Sequence, residues 1–172
     1  MKILFLGVKR PSSIYLFLSL KKNYKEVDLI DGWKSFFLPN ITKKIFYHIH
    51  PKILESTINQ YILSKIKRSY DLIFVRSGQL IGKKLILELK KKTKKIVFYS
   101  DDNPFVPRDK NQWKLCLPAL KFYDLMIYHQ KSRISLGKKY GIKKTLLVWP
   151  SYEKGVHTPQ KMSLGEQKKY SN

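Results

Sequence analysis

Short, nearly continuous apolar runs alternate along this chain with stretches whose apolar positions recur at helical spacing. Ile3 to Gly7 reads as a first strand, followed by a turn at Pro11 and a helix opened by Ser12 or Ser13 as N-cap, with Ile14, Leu16, Phe17 and Leu20 facing a core. Val27 to Ile30 is a second short strand, closed by Asp31 and Gly32. Trp33 to His50, aromatic and punctuated by Pro39, reads as an irregular insertion holding a short helix or strand. From Lys52 to Arg68 the spacing of Ile53, Leu54, Thr57, Ile58, Tyr61, Ile62 and Ile66 predicts a helix, with Pro51 suited to its first turn.

Four further strands are predicted at Leu72 to Arg76, Lys95 to Ser100, Leu125 to His129 and Thr145 to Trp149. Helices near Gly82 to Lys91, Gln112 to Phe122 and Ser132 to Tyr140 separate them. Apolar runs of this kind belong to strands buried on both sides. The alternation therefore predicts an α/β fold, a Rossmann-like open parallel sheet of about six strands with helices on both faces. No internal repeat interrupts it. Residues 1–150 are expected to form one domain, and the polar residues 151–172 read as a linker or a lead into a further domain.

In such a sheet, ligands bind at the carboxyl ends of the strands. Those ends carry Gly7; Asp31 and Gly32; Arg76, Ser77 and Gly78; Ser100 to Asn103; His129; and Ser151. Asp101 and Asp102 are the catalytic candidates, because adjacent carboxylates at a strand end suit orientation or deprotonation of a hydroxyl. The structural alternative has one aspartate capping the next segment and the other pairing with Arg108 or a lysine. His129 has two readings as well, a base at the crevice or a hydrogen-bonded structural residue. Gly7 and Gly78 would allow close approach of a ligand to the backbone, and Arg76 would meet an acidic group.

Several chemistries are disfavoured. Gly7 is followed by Val8, Lys9, Arg10 and Pro11, so neither a GxGxxG turn nor a GxxxxGK[ST] loop is present. His48, His50 and His157 lack metal-ligand spacing, and no metal or cofactor is expected. Cys116 is the single cysteine, which fits a reducing cytoplasm. The apolar run at the amino terminus is too short for a signal peptide, and none approaches the roughly 18 residues of a membrane span.

Charge changes the picture most: 35 Lys and Arg against 12 Asp and Glu leave +23 in 172 residues. Lysine dominates over arginine, and the aromatics sit mainly at core positions such as Phe74, Phe98 and Tyr128, which makes nucleic acid an unfavoured partner. Lys21 and Lys22, Lys65 and Lys67, Lys90 to Lys92, and Lys138 and Lys139 fall at the ends of predicted helices, where they match the negative helix pole. They should gather at the sheet edge opposite the crevice. Two readings follow, a solvated dipole-matched surface or a basic underside in peripheral contact with anionic lipid at the inner face of the membrane.

The stretches DLIFVRSG, KIVFYSDDNP, YDLMIYHQ and LLVWPSYEKGVHTP, in this order and spacing, resemble the N-terminal domain of CgeB-like glycosyltransferases, group 1 enzymes of GT-B fold. The similarity runs from Met1 to about Pro159. It implies one of two Rossmann-like domains, the one that holds the sugar acceptor. The nucleotide-sugar co-substrate would be bound mainly by a C-terminal domain or a partner chain, so this half alone is expected to be inactive. It further implies a metal-independent transferase, hexosyltransferase in type, acting on a glycan, lipid-linked or protein acceptor. Gly7, Ser77, Gly78, Asp101, Asp102 and Asn103 would line its cleft, with Arg76 and His129 as further substrate contacts. The competing expectation is a non-catalytic basic α/β module that binds anionic membrane or nucleic acid.

Overall fold

A computed structural model describes residues 1–36, 39–106 and 111–149. The expected linker at 151–172, Arg108 and His157 lie outside these residues. Six strands form one all-parallel sheet: β1 (Lys2–Leu6), β2 (Glu26–Ile30), β3 (Tyr70–Arg76), β4 (Thr93–Tyr99), β5 (Leu125–Tyr128) and β6 (Thr145–Leu147). Their order is β2-β1-β3-β4-β5-β6, the doubly wound order 2-1-3-4-5 extended by one strand. The helices are α1 (Pro11–Asn23), α2 (Pro39–His48), α3 (Glu55–Lys65), α4 (Lys83–Lys90) and α5 (Ser132–Lys139). The predicted α/β fold with an open parallel sheet and helices on both faces is therefore present.

The two faces are covered unequally. Leu4, Leu6, Ile73, Val75, Ile96, Phe98, Met126 and Tyr128 line the larger core, packed against Ile58 and Ile62 of α3, Leu85, Ile86 and Leu89 of α4, and Trp113. On the other face Ile3, Phe5 and Val27 meet Leu16, Phe17 and Leu20 of α1. Alternate residues of each strand point to opposite faces, so β1 is apolar from Ile3 to Leu6 and shut away on both sides there, with only Lys2 at its start exposed. Cys116 is fully enclosed in the larger core, and burial pushes its thiol far up.

Three expected elements differ in detail. The first helix begins at Pro11 with Arg10 as its N-cap, not at Ser12 or Ser13, because proline occupies the first helical position at no hydrogen-bonding cost. Residues 51–54 form a 3-10 turn before α3 instead of one continuous helix from Lys52. The helix expected over Gln112 to Phe122 is absent; turns lead into a 3-10 segment, Leu117–Phe122. Pro118 accounts for this, since it lacks an N–H and its ring crowds the carbonyl four residues back.

Candidate functional site

The sheet changes direction between β1 and β3, whose connections leave to opposite sides, and a crevice opens there at the carboxyl ends of the strands. A polar cavity of about 350 Å³ occupies it. Val8, Arg10 and Ser13 line it beyond β1, Trp33 beyond β2, Arg76, Ser77 and Gln79 at the end of β3, and Asp101 and Asp102 beyond β4; Tyr47 and Gln112 complete it. Beside it lies a nook of about 20 Å³, lined by Gly7, Gly32, Gly78 and Leu80 among others, with room for about one water.

The backbone at the β3 end explains the shape. Ser77 and Gly78 both have positive φ, 68° and 67°. A side chain at 78 is excluded doubly, since a Cβ there would lie 2.4 Å from the Phe98 ring. Ser77 adopts a conformation that a non-glycine residue enters at a cost, and its N–H donates to the Tyr99 carbonyl at 2.7 Å. The reversal ends β3 abruptly and leaves Arg76, Ser77 and Gln79 at the cavity wall.

Arg76, 5% exposed, organises the charges. Its guanidinium pairs with the Asp101 carboxylate, donates to the Ser77 hydroxyl at 3.2 Å and lies 5.0 Å from the Tyr99 ring centre. The other oxygen of Asp101, Oδ1, is 3.0 Å from His129 Nε2. Partial burial disfavours the ionised form of Asp101, yet the Arg76 charge and hydrogen bonds from His129, Tyr99 and Arg76 outweigh it and hold the carboxyl below its ordinary value. Burial first, and then the neighbouring Asp101 charge, push the Tyr99 hydroxyl up to about 12.

Asp101 therefore binds its proton weakly and has both oxygens engaged, which suits an anchor better than a base. Its folded value lies below that of an ordinary aspartate. The stability it contributes is thus present above that value and lost as pH falls through the lower folded value. Urea melts of the native chain and Asp101→Asn should differ most at pH 5 and above, with the gap narrowing below about pH 4. A gap constant from pH 3 to pH 7 would contradict this.

The predicted site residues separate into groups. Arg76, Ser77, Asp101 and Asp102 line the cavity together. Gly7 and Gly78 line the nook beside it. Asn103 forms a local turn, its Oδ1 accepting from the Phe105 N–H at 3.1 Å. His129 stands behind Asp101, its ring edge-on to Tyr99, and its Nδ1 is buried with no hydrogen-bond partner.

Four residues outside those expectations matter. Arg133 of α5, 7% exposed, donates to the carbonyls of Asp101 at 2.8 Å and Asp102 at 3.0 Å, so it holds the backbone that carries both carboxylates. Arg10, Gln112 and Trp33 line the cavity. Arg10 lies in the loop directly after β1, where the strand-end rule points. Gln112 and Trp33 reach the site from segments whose path is set by tertiary packing.

Among the described residues no group of three or more His, Cys, Asp or Glu side chains is arranged to hold a metal ion, and no helix is long and apolar enough to cross a membrane. Comparison with known protein families finds no family model that matches the chain, and comparison with curated proteins finds no relative.

Proposed function

We propose that the chain is the acceptor-binding half of a GT-B glycosyltransferase that moves a sugar from a nucleotide-sugar donor to a glycan acceptor. The observation that carries this reading is the polar cavity at the switch point of the parallel sheet, walled by residues suited to sugar hydroxyls. Gln79, Gln112 and Ser77 offer neutral donors and acceptors, and Asp102 a carboxylate that accepts from hydroxyls. Trp33 and Tyr47 add aromatic surface for the apolar face of a ring. The resemblance of the SDDNP and GVHTP stretches to CgeB-like enzymes supports the same reading.

Within it, Asp102 orients the acceptor hydroxyl from the cavity wall, beside an Asp101 held by Arg76 and His129. Asp101 and Arg133 act as positioning residues, and Arg76 presents positive charge at the groove wall. The donor and its phosphates belong to a second domain or partner chain. A cytoplasmic setting is part of the proposal and is consistent with a lone, enclosed thiol.

The test is a glycan array spanning neutral and acidic saccharides, probed with the full chain. The expected result is binding to a restricted set, weakened about tenfold or more by Asp102→Asn or Gln112→Ala, each removing a hydrogen bond to the ligand. Absence of glycan binding, or binding indifferent to both substitutions, refutes the proposal. Salt-dependent binding to vesicles or DNA in place of glycans, unaffected by Asp101→Ala and Asp102→Ala, favours the non-catalytic basic module.

A further inference from the structure

Because all six strands are parallel, their starts share one edge of the sheet, and the helices that run back along them end at that same edge. The lysine surplus is concentrated there. Lys21 and Lys22 close α1, Lys138 and Lys139 close α5, and Lys92 and Lys95 flank the start of β4, all of them exposed.

Five acids near this edge are already held in ion pairs by four other cations. Arg68 pairs with Glu26 and Asp28, Lys90 with Asp124, Lys91 with Glu88, and Lys94 with Asp71, all at 2.7–2.9 Å. The six lysines named above have no such counter-charge among the described residues. Helix poles account for a lysine or two at each helix end. They do not account for Lys95, which lies within the first residues of strand β4, or for an edge on which each of these carboxylates has a partner and six further lysines remain.

We propose that this strand-start edge is a docking surface for an anionic lipid bilayer. Six strands about 4.8 Å apart spread the cations across roughly 24 Å, with helices widening the platform on either side. A bilayer offers a broad sheet of diffuse negative charge, which separate, flexible ammonium groups match without a groove. Duplex DNA is a narrower rod and favours a stripe with forked arginines. Tyr24, the exposed C-cap of α1 between Lys22 and Lys25, supplies an amphipathic ring of the kind that settles at lipid interfaces.

This attachment would hold the crevice away from the membrane. Strand β3 alone, Tyr70 to Arg76, spans about 20 Å between the two edges. Resting on the acceptor-binding reading, the substrate class is then a soluble or long-chain glycan reaching out from the surface, not a sugar seated at the lipid headgroups. The bilayer contact itself does not depend on that reading.

Co-sedimentation of the full chain with vesicles tests it. Vesicles of 70:30 phosphatidylcholine and phosphatidylserine should bind the chain at low salt and release it as salt rises; phosphatidylcholine alone should not bind it. The variant Lys21→Gln/Lys22→Gln/Lys138→Gln/Lys139→Gln should bind at least about 100-fold more weakly, at roughly fivefold per lysine. Lys9→Gln/Lys34→Gln/Lys84→Gln/Lys131→Gln carries the same net charge with its changes away from this edge, and it should stay within about tenfold of the parent. Circular dichroism melts of all three proteins verify that each is folded. No binding to the mixed vesicles, or equal loss in both variants, overturns the proposal. Displacement from the vesicles by equimolar duplex DNA overturns it too, giving the edge to nucleic acid. Glycan binding at the crevice is scored separately and stands or falls on its own.

Discussion

Replacing Asp101 with alanine is expected to lower the unfolding free energy by about 2–3 kcal/mol, a melting-temperature drop of roughly 4–12 °C for a chain of this size. The cause is the partner left behind. Arg76 is 5% exposed, and without Asp101 its guanidinium loses the carboxylate it pairs with. Breaking a fully buried pair costs about 3–5 kcal/mol; here the carboxylate is half open to water, which reduces the penalty. Asp102→Ala, at an exposed position one residue along, should cost less than about 1 kcal/mol. Adding Arg76→Met to Asp101→Ala should restore part of the loss, because an apolar side chain then fills the space with no stranded charge. Urea and thermal melts of the four proteins give the comparison directly. Equal effects of the Asp101 and Asp102 substitutions would contradict the pairing described above.

Gly78→Ala is expected to cost about 2–4 kcal/mol, measured by the same melts. Two separate penalties combine. The backbone at 78 is left-handed, with φ at 67°, which costs an alanine about 1 kcal/mol. The new methyl would also meet the ring of Phe98, itself fully enclosed in the core, at a separation no Cβ contact tolerates. Relief requires moving either β4 or the reversal that ends β3. The second movement would displace Ser77 and Gln79 from the cavity wall, so any glycan affinity should fall along with stability.

The strands were legible in the sequence because parallel strands buried on both sides leave an unbroken apolar run. Each expected strand overlaps the observed one, with ends displaced by up to two residues. Helix starts were less legible. Serine at 12 or 13 carries the usual capping signal, but Pro11 decides the matter earlier, and Pro118 breaks a periodicity that otherwise reads as helix.

The candidate site divides in the same way. Arg76, Ser77, Asp101 and Asp102 are exposed to inference because the strand-end rule is local. Arg133 could not be found so: its role depends on α5 passing beside the loop after β4, and nothing in the local sequence of an arginine near a helix start marks it as buried. Asn103 was legible as polar and near the crevice, but whether an asparagine serves a ligand or its own backbone is decided by turn geometry.

The pairing of β1 with β3 bears on how the chain finds its shape. Lys2 and Asp71, joined across that seam, are 69 residues apart, whereas Ile73 with Ile96 and Phe98 with Met126 meet across far shorter spans. Closing a long loop costs more chain entropy before any contact rewards it, and distant pairings slow folding. The seam where the crevice opens is therefore the most topologically distant junction of the sheet, and a newly made chain assembles this polar crevice only after residues far apart in synthesis have come together.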